Sequence, residues 1–232
     1  MRVEPHAAYL LHRRKFRETS AILELLSVQK GRVSCLMKGV FKETKARRSS
    51  APELFQPIQI GWTGRGELPT AIQYEPTGRR FELEGRALFC AMYINELIVR
   101  LVGRGEANPQ LFSLYESALA DLMNTELMVE QTLRRFEKYL LEICGYALVL
   151  DIEPDTGVPV EAGQQYYYRM EHGPERDRHS EQDIAVSGDT LLKLAGDQPL
   201  LAQDLPDAKR LMRVILNYYL GDKPLASRSL FS

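Results

Sequence analysis

A chain of 232 residues, 44% hydrophobic and 26% charged, has the make-up of a globular protein long enough for one large or two modest cores. No apolar run approaches the roughly 20 residues of a membrane span, and the opening MRVEPHAAYLLHRRKF lacks the sustained apolar stretch of a secretory signal, so a cytoplasmic location is expected. The formal net charge of -1 hides a split: residues 1–80 carry 15 Lys plus Arg against 7 Asp plus Glu (net +8), and residues 81–232 carry 15 against 24 (net -9). Cations concentrated on a small fold present a positive field, and nucleic acid is the polyanion that most commonly answers it.

From Ala8 to Tyr74 the apolar pattern has period two. Ile22, Glu24 and Leu26 alternate with Leu23 and Leu25; Val33, Cys35 and Met37 with Ser34, Leu36 and Lys38; Ile58, Ile60 and Trp62 with Gln59, Gly61 and Thr63. Turn signals fall at Lys30-Gly31, Gly64-Arg65-Gly66 and Pro76-Thr77-Gly78. About five short strands in some 80 residues suit a small closed barrel of the OB type. After Phe81 the period becomes 3.6. Leu88 to Val102 stops at Gly103-Arg104-Gly105. Asn108 caps and Pro109 opens a helix with the stripe Leu111, Leu114, Tyr115, Ala118, Leu119 and Leu122; Val129 to Ile143 stops at Gly145; Asp207 to Leu220 stops at Gly221 with Pro224 beyond. Residues 151–189, rich in charge, Gly, Pro and Tyr, are expected to form an irregular insertion. The fold class is therefore α+β in two domains: an OB-type barrel over residues 1–80 and an all-helical domain over 81–232, with an irregular insertion near 150–186.

Lys38 to Arg48, KGVFKETKARR, concentrates Lys38, Lys42, Lys45, Arg47 and Arg48 around only two large apolar residues, Val40 and Phe41. It reads either as a solvated loop or as a loop whose cations follow a phosphate backbone without reading bases. The run Arg13, Arg14, Lys15 and Arg17 joins it if the strands bring the two together, and Arg65 adds a further cation in a turn. Phe16 and Phe41, set amid charge, suit stacking on unpaired bases, whereas Trp62 continues the Ile58–Ile60 face and is expected in the barrel core. On the third helical stripe Arg134 and Lys138 are spaced i, i+4 beside Arg135, with Glu130 and Glu137 nearby. That pattern fits a solvated face laced with ion pairs, or a site for a peptide ending in acidic residues and a free carboxylate, to which Arg210, Arg213 and Tyr218 of the last long helix would contribute.

Signatures of catalysis are missing: no GxxxxGK[ST], HExxH or GxSxG occurs, and Gly64-Arg65-Gly66 lacks the third glycine of a dinucleotide site. Cys35, Cys90 and Cys144 have no CxxC spacing and are expected as buried free thiols; His6, His12, His172 and His179 have no metal-ligand spacing. Asp151, Glu153 and Asp155 have the spacing of a calcium loop, but Thr156 stands where the sharp turn wants Gly. Neither an enzyme, a metal nor a cofactor is expected.

Glu18-Thr19-Ser20, Gly31-Arg32-Val33, Lys38-Gly39, Leu54-Phe55-Gln56-Pro57, Gly64-Arg65-Gly66-Glu67, Tyr93-Ile94-Asn95-Glu96-Leu97, Leu111-Phe112, Leu133-Arg134-Arg135-Phe136-Glu137, Gly145-Tyr146 and Leu220-Gly221-Asp222-Lys223-Pro224-Leu225 leading to Ser227-Arg228 follow in an order and spacing that resembles the RecO family of bacterial recombination mediators. The resemblance runs nearly end to end and implies an N-terminal OB fold followed by a helical domain. It also implies binding to single- and double-stranded DNA, annealing of complementary strands, capture of the acidic C-terminal tail of single-stranded-DNA-binding protein, and action with RecR to load RecA, in the cytoplasm and at the nucleoid. Many members carry a four-cysteine zinc motif in the insertion; Leu148 to Tyr168 contains no cysteine here, so zinc is not expected and Tyr166, Tyr167 and Tyr168 are left to hold the segment by packing. Arg13, Arg14, Lys15, Arg17, Lys38, Lys42, Lys45, Arg47, Arg48 and Arg65 are the expected DNA contacts, and Arg134, Arg135 and Arg210 the expected receptors of the tail. A protein-binding scaffold without DNA affinity, or a metal-dependent nuclease built on Asp151, Glu153 and Asp155, are the alternatives.

Overall fold

A computed structural model of the chain describes residues 2–41, 51–124 and 129–231. Strands β1 (Arg2–Phe16), β2 (Ser20–Ser27), β3 (Gly31–Met37), β4 (Ile58–Thr63) and β5 (Thr70–Pro76) close into a barrel of order β1-β2-β3-β5-β4. Every neighbouring pair is antiparallel except β3 and β5, which meet in parallel at Leu36 and Thr70. This is the topology of the OB-type barrel that the period-two pattern predicts. Ala8, Leu10, Ala21, Leu23, Leu25, Cys35, Ile58, Ile60 and Trp62 form its interior, so Trp62 is a core residue, edge-on to His6. Burial drives the Cys35 thiol up to about 12, with Glu24 adding to the shift, which leaves it protonated and inert.

Nearly all of β2 and the run Ala8–Leu11 of β1 are buried, a departure from simple alternation whose cause on β1 is the packing of helices against it. Helices α1 (Gly85–Leu101) and α2 (Pro109–Asn124) pack outside the barrel. Tyr9 of β1 meets the rings of Phe112 and Tyr115 and donates to Glu116 at 2.9 Å. Asn95 donates to the Leu11 carbonyl at 3.0 Å and accepts from the Tyr115 hydroxyl at 2.8 Å, fastening α1 to both β1 and α2. Asn108 caps α2 as its position before Pro109 predicts, accepting from the Leu111 amide at 2.8 Å. Gly31 holds φ +60, and a Cβ there would lie 1.8 Å from the Glu106 carbonyl oxygen, so the turn into β3 requires glycine twice over.

Two compact units divide the chain: residues 1–123 with 225–232, and residues 124–224. A C-terminal 3-10 helix (Ala226–Phe231) belongs to the first because the Glu96 carboxylate of α1 accepts from the Ala226 amide at 2.9 Å, the Ser227 amide at 2.8 Å and the Ser227 hydroxyl at 2.6 Å. Burial alone would raise the Glu96 carboxyl, but the hydrogen bonds from Ser227 and Ala226 outweigh it and hold the group below its ordinary 4.5. A lowered folded value makes this contribution fully present above pH 4.5 and lost as the pH falls through that lower value. Hydrogen exchange should therefore show the Ala226 and Ser227 amides deprotected in Glu96→Gln at neutral pH, and in the parent only in acid.

The second unit contains α3 (Val129–Ile143), β6 (Gln165–Arg169), β7 (Gly173–Glu175), β8 (Ile184–Ser187), α4 (Gly188–Ala195) and α5 (Leu205–Leu220). The segment read as irregular is in part a three-stranded antiparallel sheet of order β7-β6-β8, and the part read as all-helical is to that extent mixed. Tyr166 and Tyr168 face inward opposite Val186 and Ile184, while Tyr167 lies on the other face. Gly188 closes the turn from β8 into α4, where a Cβ would stand 2.0 Å from the Glu161 carbonyl oxygen. No helix among the described residues is long and apolar enough to cross a membrane.

Candidate nucleic-acid interface

Arg13, Arg14 and Lys15 are exposed on the last part of β1, and Arg17 (φ 56) stands in the turn to β2. A register shift between Leu10 and His12 sets Arg13 opposite Leu23, Arg14 opposite Ile22 and Lys15 opposite Ala21. Opposed residues of an antiparallel pair share a face, so Arg13 and Lys15 project together and Arg14 to the other side. The start of the basic loop comes to the same end of the barrel. The Phe41 amide donates to the Thr19 carbonyl at 3.2 Å, and the Lys15 ammonium lies 6.0 Å from the centre of the Phe41 ring. Arg17 likewise lies 5.3 Å from the Phe16 ring. Lys38 is exposed beside them. Phe41 is 42% exposed, giving this cationic end an open aromatic face. Lys42, Lys45, Arg47 and Arg48 lie outside the described residues.

Arg65 belongs to a second group. The turn after β4 and the start of β3 enclose a cavity of about 560 Å³ with Val3, Val33, Trp62 and Pro69 in its lining and Lys30, Arg32, Arg65 and Arg104 as its cations. The cavity is lined by Arg32, Val33 and Ser34 from the first half of β3, whereas Lys38 follows its last residue. Part of this charge is spent internally. Buried Glu24 accepts from Ser34 at 2.6 Å and pairs with Arg32 at 3.3 Å and Arg104 at 2.9 Å. Burial holds the Arg32 guanidinium below its ordinary value and Arg104 reinforces the shift, while Glu24 opposes it. Lys30, Arg32 and Arg104 escaped the reading of the sequence because Lys30-Gly31 and Gly103-Arg104-Gly105 read as punctuation and their shared cavity depends on tertiary contacts.

The residues expected to take an acidic tail fall apart in the second unit. Arg134 is 6% exposed, pairs with Glu137 at 3.0 Å and lies 3.9 Å from Glu130; Glu137 has no exposure at all. Arg134, Arg135, Lys138, Lys193 and Asp197 line a narrow cleft of about 10 Å³, room for no more than a single water as it stands. Lys138 closes it by donating to the Leu194 carbonyl at 2.9 Å and to Asp197 at 2.6 Å, capping α4. Arg135 is exposed at the rim. Arg210 is elsewhere, bonded to Asp207 of its own helix and to the Ala185 carbonyl of β8. The carboxylates of the nuclease alternative also part: Glu153 pairs with Arg176 at 3.2 Å, and Asp155 turns toward His172. The four-cysteine zinc set has no counterpart, since Cys35 and Cys90 belong to the first unit and only half-buried Cys144 to the second.

Comparison with known proteins supports one family along the whole chain. Residues 1–80 match the family model described as Recombination protein O N terminal, and residues 83–229 the one described as Recombination protein O C terminal. The chain is 42% identical over 231 residues to a DNA repair protein RecO of Nitrosococcus oceani, covering 99% of this chain and 93% of that protein. It is 41% identical to that of Aromatoleum aromaticum, covering 98% and 94%, and 39% identical to that of Coxiella burnetii strain RSA 331, covering 99% and 98%. The barrel, the helices that follow it and these matches together place the chain in the RecO family of DNA repair proteins.

Proposed function

We propose that this protein is a non-enzymatic recombination mediator that binds single- and double-stranded DNA through the cationic surfaces of its barrel and anneals complementary strands. Working with RecR, it would help load RecA onto strands coated by single-stranded-DNA-binding protein, in the cytoplasm and at the nucleoid. The observation that carries the reading is the convergence of Arg13, Lys15, Arg17 and Lys38 with exposed Phe41 at one end of the barrel. Exposed cations there neutralise phosphates without reading bases, and two strands lying on such a surface repel each other less, so pairing encounters become productive without an energy source. Phe41 adds a stacking face suited to unpaired bases.

Titrating the protein into labelled oligothymidine at several salt concentrations tests this. About five phosphate contacts to a single strand predict a log–log slope near -3.5 in anisotropy-derived affinity. No binding at low salt would select the scaffold reading. For the acidic tail of the single-strand-binding partner, Arg134, Arg135 and Arg210 remain the proposed cations, with Arg135 the accessible one. Arg135→Ala should weaken capture of an acidic-tail peptide and leave oligonucleotide affinity unchanged.

A further inference from the structure

In the second unit Asp155, His172 and Glu175, none of them assigned above to DNA or tail, bring one ligand atom each within 4.8 Å of one another. His172 Nε2 lies 3.2 Å from Asp155 Oδ1 and 2.7 Å from Glu175 Oε1. Both atoms of the last contact are shut away from solvent without a hydrogen bond of acceptable geometry, although the Arg169 guanidinium also lies 2.9 Å from Glu175 Oε1. An ion seated beside this pair, within reach of both atoms and of Asp155, would satisfy it.

We propose that Asp155, His172 and Glu175 form a binding site for a zinc-class divalent transition ion. The donors suit it: one imidazole nitrogen with carboxylate oxygens is a zinc set, whereas magnesium and calcium prefer oxygen alone. The charge suits it as well. Two carboxylates and the Arg169 guanidinium, which lies 3.6 Å from Asp155 Oδ2 and 2.9 Å from Glu175 Oε1, leave one net negative charge when the histidines are neutral. Arg169 on Asp155 and His179 on Glu175 Oε2 orient the ligating carboxylates from outside, as outer partners do in metal sites. Arg169 also competes electrostatically for the same carboxylates, so the affinity is moderate.

The ligands come from separately braced pieces of backbone. Asp155 lies in a loop tied by the Glu153 amide to the Val158 carbonyl and the Gly157 amide to the Glu153 carbonyl, each at 2.8 Å. His172 and Glu175 lie at the turn and second strand of the β6–β7 hairpin. A bound ion therefore cross-links that loop to the sheet, a structural role for a segment whose sequence has no cysteine to do it.

The test is a titration of the full-length protein with Co²⁺, followed by visible absorption, and displacement by Zn²⁺. Saturable binding of one equivalent is expected, displaced by Zn²⁺ but not by excess Mg²⁺. Asp155→Asn, at an exposed position that the fold tolerates, and His172→Gln should each weaken it by at least about tenfold, the loss typical of even an outer partner. Absence of saturable binding, or an affinity unchanged in both variants, overturns the site. Neither outcome bears on DNA affinity, which is measured separately.

Discussion

Replacing Arg13, Lys15, Arg17 and Lys38 together by glutamate should reduce affinity for a single-stranded oligonucleotide by several hundred-fold at about 0.1 M salt, and lower the log–log salt slope by about 2.8. Each phosphate contact to a single strand contributes about 0.7 to the slope, and four are removed. All four side chains are exposed, none is paired with a carboxylate among the described residues, and their loss leaves the barrel interior intact. The loss should be the same for oligonucleotides of different sequence, because phosphate contacts position a strand without reading it. A drop confined to one sequence would point to base readout; an unchanged slope would remove these four cations from the interface and leave the cavity around Arg65 and the loop cations Lys42, Lys45, Arg47 and Arg48 as the remaining candidates.

The second large effect concerns stability. Arg134→Ala removes the cation that faces Glu137, a carboxylate with no exposure, and breaking a buried pair from one side costs about 3–5 kcal/mol. Thermal unfolding should fall by some 10 °C, at about 2–4 °C per kcal/mol for a chain of this size. Arg134→Met combined with Glu137→Leu should restore most of the loss, since a buried pair can be replaced by apolar side chains at little net cost. If Arg134→Ala melted like the parent, Arg134 would be a surface cation after all and a direct receptor for the tail. The expected result makes any loss of tail capture in Arg134→Ala a consequence of the fold, and turns the recognition question over to Arg135.

The sequence motifs that resemble the family acquire distinct physical roles in the structure. Within Tyr93-Ile94-Asn95-Glu96-Leu97, Asn95 fastens the helix to β1 and Glu96 receives the C-terminal 3-10 helix through Ser227, itself part of the last motif. Within Leu133-Arg134-Arg135-Phe136-Glu137, the first arginine is structural and the second is at the surface. Nothing in the spacing of those two arginines distinguishes them. They differ because α3 turns Arg134 toward Glu137 and α4, while Arg135 falls on the rim.

What the sequence by itself determined is what local periodicity and punctuation carry. Five strands closing a barrel, the helices opened by Asn108-Pro109 and closed by Gly145 and Gly221, Trp62 in the core, and cations gathered in the first third all follow from side chains repeating at 2.0 or 3.6 residues and from backbone preferences at turns. Only the tertiary structure decided the rest. The β6–β8 sheet was hidden because its alternation lasts only three to five residues per strand amid charge, too short to stand out from a loop. The Glu24–Arg32–Arg104 cluster, the seating of Ser227 on Glu96, and the approach of Asp155 to His172 and Glu175 join residues 8 to 131 positions apart or loops with no repeating pattern. Charge in a sequence says how many ions a chain carries; which are spent on buried partners and which remain for a ligand depends on desolvation and distance, and those exist only once the chain has folded.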